Sequence, residues 1–511
     1  MEGSSNIPSD LAWIDLTSTQ LPVWLDLGSG AHPSSYVIGG YIRIPGPVDP
    51  ERFIRAVDVV VARNDALRLR FDVKEPRQII DFSDYPCVDI VDVSAAPDPN
   101  VAFRSYLETE FPKPFDLAAR GRLFRISLIR LEAGLWYCVL KFHHLVADGM
   151  SISLVFGQIC DVYNGDADGA RRHPAYLDFA RDDAAYLASE RYRRDLDYWR
   201  ERFRSAPRPL FSERRRAGRR DDRGVAPALT WQLPWARYKA LTELGKSRGV
   251  TPFAIFLGVL AATLMRMRGT PDLVIGVPVL NRSAASWRDT IGMFAGAMPT
   301  RLRLPRRATL HDITALAAAQ LRRDFRHQRA PISDIVRALG MPQQGQWRLF
   351  DVVLSFEPND YDLRLDGAAV QASGHVSGYE FNPLAVYVRE YNSDRPVAID
   401  FVFNPNFLAR EEAADLQRRF QFLLERYLGD PDQRLADIDI VTAEETVLQR
   451  QDEIVASTMV REEASSIVSL IEAQVGLRPE AVAVEGSGER LSYGALWARS
   501  GLLAARLRAL G

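Results

Sequence analysis

The sequence predicts a mixed α/β fold, of the α+β kind, in which helices pack against sheets. The first observation behind this prediction is that apolar residues recur at helical spacing in some segments and alternate with polar residues in others. The two kinds of segment follow one another along the chain, which is typical of a sheet-and-helix fold. The second observation is size. The chain has 511 residues, 47% of them hydrophobic, and this suits two large lobes or several domains rather than one core.

The first half of the chain contains the clearest elements. An Asp-Pro pair at 49–50 supplies the N-cap and first turn of a predicted helix. Residues 123–131 alternate between apolar and polar, and residues 135–142 follow after a short turn, so the two segments predict a β-hairpin. The segment HHLVADGMS, residues 143–151, comes directly after the hairpin, and a helix is predicted from there to about Tyr163. The two histidines therefore lie on a loop between a strand and a helix.

The second half begins after an Arg-rich run at residues 212–224. We interpret this run as an exposed connection, and a solvated linker is favoured over a phosphate-docking patch. The elements predicted after it are a helix over 251–267, the strand VIGVPV, a helix near 311–328 and an amphipathic helix over 416–428. From about residue 430 the chain becomes a polar linker.

Charge, cysteine content and hydropathy exclude several classes of protein. The 64 Lys and Arg residues balance 66 Asp and Glu, which argues against nucleic acid as the main partner. Cys87, Cys138 and Cys160 lie far apart, so we expect buried thiols in a reducing cytosol rather than disulfides or zinc ligands. The amino terminus lacks a secretory signal, and the most apolar stretch, residues 253–265, is too short to span a bilayer. The sequence therefore predicts a cytoplasmic protein without a membrane partner.

The histidine pair, followed by an acidic residue and a glycine, can serve acyl transfer. An amine that attacks a thioester must lose a proton, and imidazole accepts one near neutral pH. Backbone N–H groups at the start of the following helix are suited to stabilise an oxyanion. Gly149 lets the backbone approach closely, and Asp148 can fix the loop by pairing with an arginine.

A blander interpretation stands beside this one, in which the histidines are ordinary core residues. Adjacent side chains point in different directions, so at most one of His143 and His144 is expected to face a substrate. Residue types and spacing alone leave catalysis and core packing both open, because short motifs often arise by chance. A metal site is disfavoured, because no third His or Cys lies at ligand spacing.

The histidine loop resembles the HHxxxDG signature of condensation domains of nonribosomal peptide synthetases. Other motifs of that family recur in the expected order over about the first 440 residues. The segments similar to them are TSTQ through Trp24 and Leu25, ARNDALRLRF at 62–71, YLDFA at 176–180, IGMF at 291–294 with Pro299 and Arg301, and His327-Gln328 with Pro331. Three positions depart from the family pattern, namely Pro22, Asp182 and Gly296. The catalytic loop is complete.

The resemblance implies a chloramphenicol-acetyltransferase-like pseudodimer, whose two lobes meet in a V around a central tunnel. The lobes would be residues 1–170 and residues 171–440 of the condensation domain. Near the centre of the tunnel, His144 would be the catalytic histidine, either as general base or as the group that positions the amine. His143 is expected to support the loop.

The resemblance also assigns roles to residues around His144. Asp148 is expected to hold the loop by pairing with Arg282 from the other lobe, and Gly149 to leave backbone room beside the thioester. Ser151 is expected to contribute a hydroxyl to the pocket. The small residues around Gly296, in the tunnel motif, are suited to leave space for an acyl chain, although simple packing is the alternative.

The end of the chain resembles a different domain. Residues 466–511 are similar to the start of an adenylation domain, whose first motif is matched by LSYGAL at 491–496, and residues 441–465 would be the linker. The phosphate-binding loop of such a domain is missing from the sequence, so this piece is not expected to activate an amino acid. The resemblance implies an adenylation domain that continues beyond residue 511, with a carrier following.

The reaction implied is amide-bond formation between a thioester-bound acyl donor and the amine of an aminoacyl group on a downstream carrier domain. Carrier phosphopantetheine arms or coenzyme A would present the substrates. The chain itself is therefore expected to bind no metal and no tight cofactor, and to act as a monomer.

The identity of the acyl donor is left with two alternatives. Met1 lies only about sixteen residues before the opening motif, too few for a carrier domain, so the donor is expected to come from outside the chain. We favour a starter domain that takes a fatty acyl group from acyl-CoA over an elongation domain that receives a peptide from an upstream carrier on another subunit. A non-catalytic protein-recruiting domain of the same fold is disfavoured by the complete loop, and a standalone acyltransferase by the adenylation-like tail. Heterocyclisation and epimerisation domains are disfavoured because paired Asp residues and an EGHGR-like segment are not found.

Overall fold

A computed structural model of the protein describes most of the chain. The described residues are 13–119, 121–166, 174–205, 207–212, 226–282, 284–341, 348–358, 363–374, 378–390, 395–440, 466–486 and 489–509. Residues 1–12, nearly all of the Arg-rich run at 212–224 and the predicted linker at 441–465 lie outside them. Residues 1–440 and residues 441–511 form two compact units.

The first unit alternates strands and helices, which confirms the mixed fold class. Its strands are β1 Ile14–Asp15, β2 Val37–Pro45, β3 Leu69–Phe71, β4 Arg77–Ile80, β5 Val88–Asp92, β6 Phe124–Glu132, β7 Leu135–His143, β8 Ala228–Leu233, β9 Asp272–Val279, β10 Gly296–Arg303, β11 Val352–Pro358, β12 Arg364–Leu365, β13 Ala368–Ala369, β14 Gln371–Gly374, β15 Leu384–Glu390 and β16 Val397–Phe403. Its helices are α1 Gln20–Gly28, α2 Pro50–Arg63, α3 Pro99–Glu110, α4 Gly149–Tyr163, α5 Tyr176–Leu187, α6 Glu190–Arg202, α7 Trp235–Ser247, α8 Pro252–Arg268, α9 Leu310–Asp324, α10 Ile332–Ala338 and α11 Arg410–Gly429.

A five-stranded sheet carries the histidine loop. Its strand order is β14-β2-β7-β6-β5, with β6 and β7 forming the predicted hairpin. β2 pairs antiparallel with β7, so that Val37 lies opposite His143 at the end where the loop begins. The two faces of the sheet bury separate apolar clusters, one against α2 and α4 and the other against α3. The loop therefore emerges from a strand that is held on both edges and both faces.

A six-stranded sheet of order β10-β9-β11-β15-β16-β8 forms the centre of the second half. One face of it packs against a large apolar core to which α8 contributes most of its length, from Ala254 to Leu264. Among the described residues, no single helix is long and apolar enough to cross a membrane. α7 and α8 satisfy such a test only as a pair, and that pair is bent by 98°.

Several segments of the predicted second lobe, residues 171–440, pack with the five-stranded sheet rather than with the six-stranded sheet. β14 pairs with β2 at the edge of the five-stranded sheet. Tyr176, Phe294 and Val370 lie in the apolar core beneath that sheet. All of these residues follow position 170, where the sequence places the end of the first lobe. Apolar spacing shows that a residue is buried, but it does not show which of two cores receives it.

The local predictions for individual helices are mostly confirmed. Asp49 caps α2 through its side chain, with Pro50 in the first turn, and α4 ends at Tyr163 as expected. The predicted start of the last helix of this unit is wrong, because α11 begins at Arg410 rather than at 416. The start of α11 is polar, so the spacing of apolar residues does not reveal it. The helix start is stabilised by a hydrogen bond that the N–H of Ala409 donates to the side chain of Glu412.

The second unit is a small helix–hairpin–helix arrangement. Its elements are α12 Ile467–Leu477, β17 Val482–Gly486, β18 Glu489–Ser492 and α13 Tyr493–Ala509. The strands form an antiparallel pair. Large apolar side chains remain exposed on it, among them Ile467 at 76%, Leu477 at 78% and Leu502 at 74%.

Candidate active site

The histidine loop connects the end of β7 to the start of α4. Three apolar residues in its middle, Leu145, Val146 and Ala147, are at most 1% exposed. Asp148 is the N-cap of α4, and its carboxylate accepts a hydrogen bond from the N–H of Ser151 at 2.8 Å. Buried anchors and a helix cap together give the short loop one defined conformation.

His144 is held by two backbone carbonyl groups. Its N–H donates to the carbonyl of Tyr36 at 2.8 Å, and its ring Nδ1 lies 3.0 Å from the carbonyl of Ala147. Because a carbonyl oxygen only accepts hydrogen bonds, Nδ1 carries the proton. Nε2 therefore has a free lone pair, and among the described residues no hydrogen bond to it is found. A neutral imidazole with a fixed tautomer is the form that accepts a proton or a hydrogen bond from an amine.

The environment keeps the His144 ring neutral. Burial lowers the pKa of His144 below its ordinary value, and the negative charge of Asp148 opposes this effect only in part. His144 as a whole residue is half-buried, whereas its neighbour His143 is buried. His144 can therefore meet a substrate.

His143 points into the protein. Its side chain is 1% exposed, and its Nδ1 accepts a hydrogen bond from the N–H of Leu145 at 3.1 Å. The ring lies against Tyr36 and Phe115, with centroids 6.4 Å away in each case. Burial, reinforced by His144, lowers the pKa of His143 to about 3, so the ring is neutral at physiological pH. His143 supports the loop and has no direct path to a substrate.

Asp148 and Arg282 form a buried ion pair between distant parts of the chain. The guanidinium donates to both carboxylate oxygens, at 2.7 and 3.0 Å, and the two side chains are 1% and 3% exposed. The N–H groups of Phe294 and Ala295 donate to the same carboxylate at 3.1 and 3.2 Å. Burial alone would raise the pKa of Asp148, but the charge and the hydrogen bonds of Arg282 hold it below its ordinary value. The Asp148 carboxylate thus fastens the histidine loop to Arg282 and, through two backbone N–H groups, to the end of the IGMF segment.

Ser151 belongs to this buried network. Its side chain is 0% exposed, and its hydroxyl lies 2.8 Å from Asp148 and 2.7 Å from the carbonyl of Gly292, whose N–H donates to it at 3.0 Å. The expectation that Ser151 offers a hydroxyl to the pocket is therefore wrong. The partners that occupy this hydroxyl come from a segment more than a hundred residues away, which sequence spacing does not reveal.

Two glycines of the predicted site have different surroundings. Gly149 is exposed, and a Cβ added there would meet no protein atom within 4 Å. The fold itself therefore does not require glycine at this position, which is consistent with space reserved for another molecule. At Gly296, by contrast, a Cβ would lie 2.9 Å from the side-chain nitrogen of Asn281.

The structure also places at the site two residues that have no predicted role. Tyr36, which precedes β2, supplies the carbonyl that holds the N–H of His144, and no family motif marks it. Gln20 lies in the opening motif, and its side-chain amide contacts the carbonyl of Leu145 at 2.9 Å. The motif match singled out this residue, but only the fold shows what it touches. No cluster of three or more potential metal ligands is found in the described part of the chain.

Comparison with known proteins identifies the family. The family described as "Condensation domain" matches residues 12–449, most of the chain. The chain belongs to the condensation domain family. Condensation domains form the amide bonds of nonribosomal peptide synthesis, so the chain belongs to a class of acyltransferases.

Curated relatives of this condensation domain are much longer proteins. Over 97% of the chain it is 28% identical to the isonitrile lipopeptide synthase of Streptomyces coeruleorubidus, and over 94% it is 25% identical to the dimodular nonribosomal peptide synthase of Bacillus subtilis (strain 168). The aligned regions make up 33% and 20% of those proteins. The chain thus spans a third or less of the length of these two relatives.

Solved structures of condensation domains confirm the chloramphenicol-acetyltransferase-like fold. A mutant of the starter condensation domain of rhizomide synthetase, in complex with C8-CoA, superposes with a TM-score of 0.74 at 26% identity, covering 84% of this chain and 97% of that one. The first condensation domain of the calcium-dependent antibiotic synthetase, in complex with a substrate analogue, has a TM-score of 0.72 at 23% identity over 84% of this chain and 99% of its own, which supports the fold alone. The V-shaped opening and the tunnel stay predictions.

Proposed function

We propose that this condensation domain takes an acyl group from coenzyme A and joins it to the amine of a carrier-bound aminoacyl group. The observation that carries the proposal is the run of small residues Ala295, Gly296 and Ala297, next to the catalytic loop. All three are half-buried, whereas the flanking Phe294 and Met298 are buried. This run presents backbone and methyl groups beside the site, which suits an apolar acyl chain.

The run of small residues is fixed in position relative to the catalytic histidine. The N–H of Ala295 donates to Asp148 at 3.2 Å, and Asp148 lies four residues after His144 on the same loop. Behind it, the side chain of Asn281 closes the space next to Gly296. An acyl group lying along Ala295–Ala297 would therefore have its thioester near the loop.

His144 supplies the acid–base chemistry of this proposal. The amine nitrogen attacks the thioester carbon, the carbon–sulfur bond breaks, and the sulfur leaves as a thiolate with the bonding electron pair. With His144 as general base, the proton lost by the amine nitrogen passes to Nε2 of the neutral ring, and the imidazolium returns it to the thiolate. With His144 as a positioning group, Nε2 accepts a hydrogen bond from the amine and the same proton passes from the amine nitrogen to the sulfur. The N-terminus of α4 at Gly149 presents backbone N–H groups without helical partners, which suits them to the developing oxyanion.

The solved starter domain bound to C8-CoA supports the same donor class by similarity, at 26% identity. The alternative is an elongation domain that receives a peptidyl group from an upstream carrier on another subunit. The large synthetases among the curated relatives favour such a carrier-linked context in general. In both cases the acceptor would be an aminoacyl carrier, and no tightly bound cofactor is required of this chain.

Intact-protein mass spectrometry separates the two donors. An aminoacyl-loaded carrier is mixed with this chain and with acyl-CoAs of graded length, or with a carrier-bound peptidyl donor. The starter proposal predicts that acyl-CoA adds its acyl mass to the acceptor, and that His144→Ala abolishes the addition. Consumption of the carrier-bound donor alone would replace the starter proposal with the elongation alternative.

We further propose that the lobes correspond to residues 1–170 and 171–440, that 441–465 is a linker in a cytoplasmic synthetase, and that 466–511 is the start of an adenylation domain. The exposed apolar side chains on α12 and α13 support the last assignment, because a large domain would cover them. Hydrogen exchange in α12 and α13 should slow markedly in a synthetase that continues past residue 511. Equal exchange in both proteins would contradict the assignment.

A further inference from the structure

The geometry points to Gln20 as a positioning residue, whose side-chain amide holds the backbone of the catalytic loop next to His144. Gln20 is the first residue of α1 and is 0% exposed. Its partners come from three segments that are distant in sequence from one another. The inference rests on the proposed role of His144 and extends it to a residue that does not touch the substrate.

The amide of Gln20 is fully hydrogen-bonded. Its Nε2 donates to the carbonyl of Leu145 at 2.9 Å and to the side-chain oxygen of Gln78 at 3.0 Å. Its Oε1 accepts from the N–H of Thr17 at 3.0 Å and from the Thr17 hydroxyl at 3.2 Å. Only this orientation fits, because the Leu145 carbonyl can only accept and the Thr17 N–H can only donate.

The contact falls at the centre of the loop. Leu145 follows His144 directly, and its own N–H donates to Nδ1 of His143. Its carbonyl belongs to the peptide group that joins Leu145 to Val146. That peptide group lies in the chain between His144 and Ala147, and the carbonyl of Ala147 fixes the tautomer of the His144 ring. A rotation of that plane would change the distance between Nδ1 and the Ala147 carbonyl. Gln20 therefore holds the peptide group on which the position of Nε2 depends.

The other partners of Gln20 make it a rigid support. Gln78, on β4, is 0% exposed, and its own amide donates to the carbonyl of Asp15 at 3.2 Å. The Thr17 hydroxyl lies 3.3 Å from the hydroxyl of Tyr176. The amide is therefore held on one side by β4, the central strand of a three-stranded sheet of order β1-β4-β3, and on the other by Thr17, which contacts Tyr176 at the start of α5. Such bracing limits the freedom of an already buried side chain.

The main test replaces the amide by an apolar group of the same length, Gln20→Met. Misplacement of a catalytic group by about 1 Å costs on the order of a hundredfold in rate. We expect kcat for amide formation to fall about 10- to 100-fold, while KM for the acceptor and the donor stays within about twofold, since Gln20 contacts neither. Gln20→Glu keeps the acceptor toward Thr17 but not the amide donors, so it should lower kcat in the same way.

Gln158→Met is the matched control. Gln158 is a buried glutamine of α4, 8% exposed, whose side-chain oxygen accepts a hydrogen bond from Asn64, the residue that follows α2. It should lose thermal stability with little change in kcat. The inference is overturned if the Gln20 variants retain wild-type kcat, or if Gln158→Met lowers kcat as much as they do.

A second measurement does not depend on the identity of the acyl donor. Diethyl pyrocarbonate modifies neutral imidazole, and peptide mass spectrometry reports its rate at His144 at pH 7. We expect faster modification in Gln20→Met and Gln20→Glu than in wild type or Gln158→Met, because the loop around His144 loosens. An unchanged rate in folded Gln20 variants refutes the inference, even if neither proposed donor is used. Failure of the wild-type chain with acyl-CoA, together with a changed rate, would count against the proposed donor only.

Discussion

Arg282 is the residue whose loss should damage the catalytic loop most. Its guanidinium donates to both oxygens of Asp148, at 2.7 and 3.0 Å, and its side chain is 3% exposed. The substitution Arg282→Leu leaves a buried carboxylate with only uncharged donors, from Ser151, Phe294 and Ala295. Breaking a buried ion pair by removal of one partner typically costs about 3–5 kcal/mol. Two charge-assisted hydrogen bonds, at ~1.5–3 kcal/mol each, give a similar range.

Urea unfolding followed by tryptophan fluorescence measures this loss. In wild type, burial tends to raise the pKa of Asp148. The charge and hydrogen bonds of Arg282 outweigh this effect of burial, so the pKa of Asp148 in the folded protein is depressed. A depressed carboxyl pKa contributes stability above the unfolded value of about 3.9, and the contribution is lost as pH falls through the folded value. Without Arg282, burial dominates and the pKa rises. The destabilisation of Arg282→Leu is therefore largest near pH 7 and shrinks as acid protonates Asp148.

Two further variants test whether the unpaired charge of Asp148 causes the loss of stability in Arg282→Leu. Asp148→Asn combined with Arg282→Leu removes both charges and should be more stable than Arg282→Leu alone. Arg301→Leu is the control, because Arg301 is 2% exposed and pairs with Asp272 at 2.6 Å but does not contact the loop. It should lose stability and keep kcat. A loss below about 1 kcal/mol in Arg282→Leu, typical of an exposed pair, would refute the reasoning, as would a double variant no more stable than the single one.

Three other predictions concern the loop itself. The pKa of His144 is lowered by burial, so the acid limb of the pH profile of kcat/KM should lie below pH 6.5, and a limb above 6.5 would contradict a neutral base. The pKa of His143 is depressed to about 3, so the free energy of unfolding should fall by about 1.4 kcal/mol for each pH unit between the unfolded pKa of about 6.5 and pH 3. His143→Asn, which keeps a hydrogen-bond acceptor, should remove the contribution of His143 to this pH dependence, measured by urea unfolding at a series of pH values. An unchanged pH dependence would contradict the depressed pKa of His143. Gly149→Ala should retain its melting temperature but raise KM for the acyl donor, whereas Gly292→Ala, whose Cβ would lie 2.0 Å from an aromatic ring, should melt earlier. Equal melting temperatures and unchanged KM values would show that neither glycine is needed for space.

The parts of this fold that sequence predicts are the local ones. The β6–β7 hairpin, the loop at His143 and the helix that ends at Tyr163 follow from residue spacing and turn signals, which act over a few residues. The resemblance to family motifs also predicted that Asp148 pairs with Arg282. In the structure these two side chains form an ion pair although they are 134 residues apart in the sequence.

The parts that the sequence did not reveal depend on distant contacts. Asp65 illustrates this, since its carboxylate accepts hydrogen bonds from the N–H groups of Tyr176 and Leu177 at 2.8 and 2.9 Å, more than a hundred residues away. The expected role of Ser151 was wrong for the same reason, because the orientation of its hydroxyl is set by Gly292. The residue types of Asp65 and Ser151 indicated that each would form hydrogen bonds. Their hydrogen-bond partners, however, depend on how distant segments of the first unit pack together.

The central claim is that amide formation depends on the free Nε2 of a neutral His144. The most direct test is the single-turnover rate of acyl transfer to an aminoacyl carrier, or to an aminoacyl N-acetylcysteamine thioester, for wild type and His144→Ala. General base or hydrogen-bond catalysis by one histidine contributes about 10²- to 10⁴-fold, so the variant should be slower by that factor at unchanged thermal stability. A rate within about tenfold of wild type, with both substrates bound, would contradict the claim.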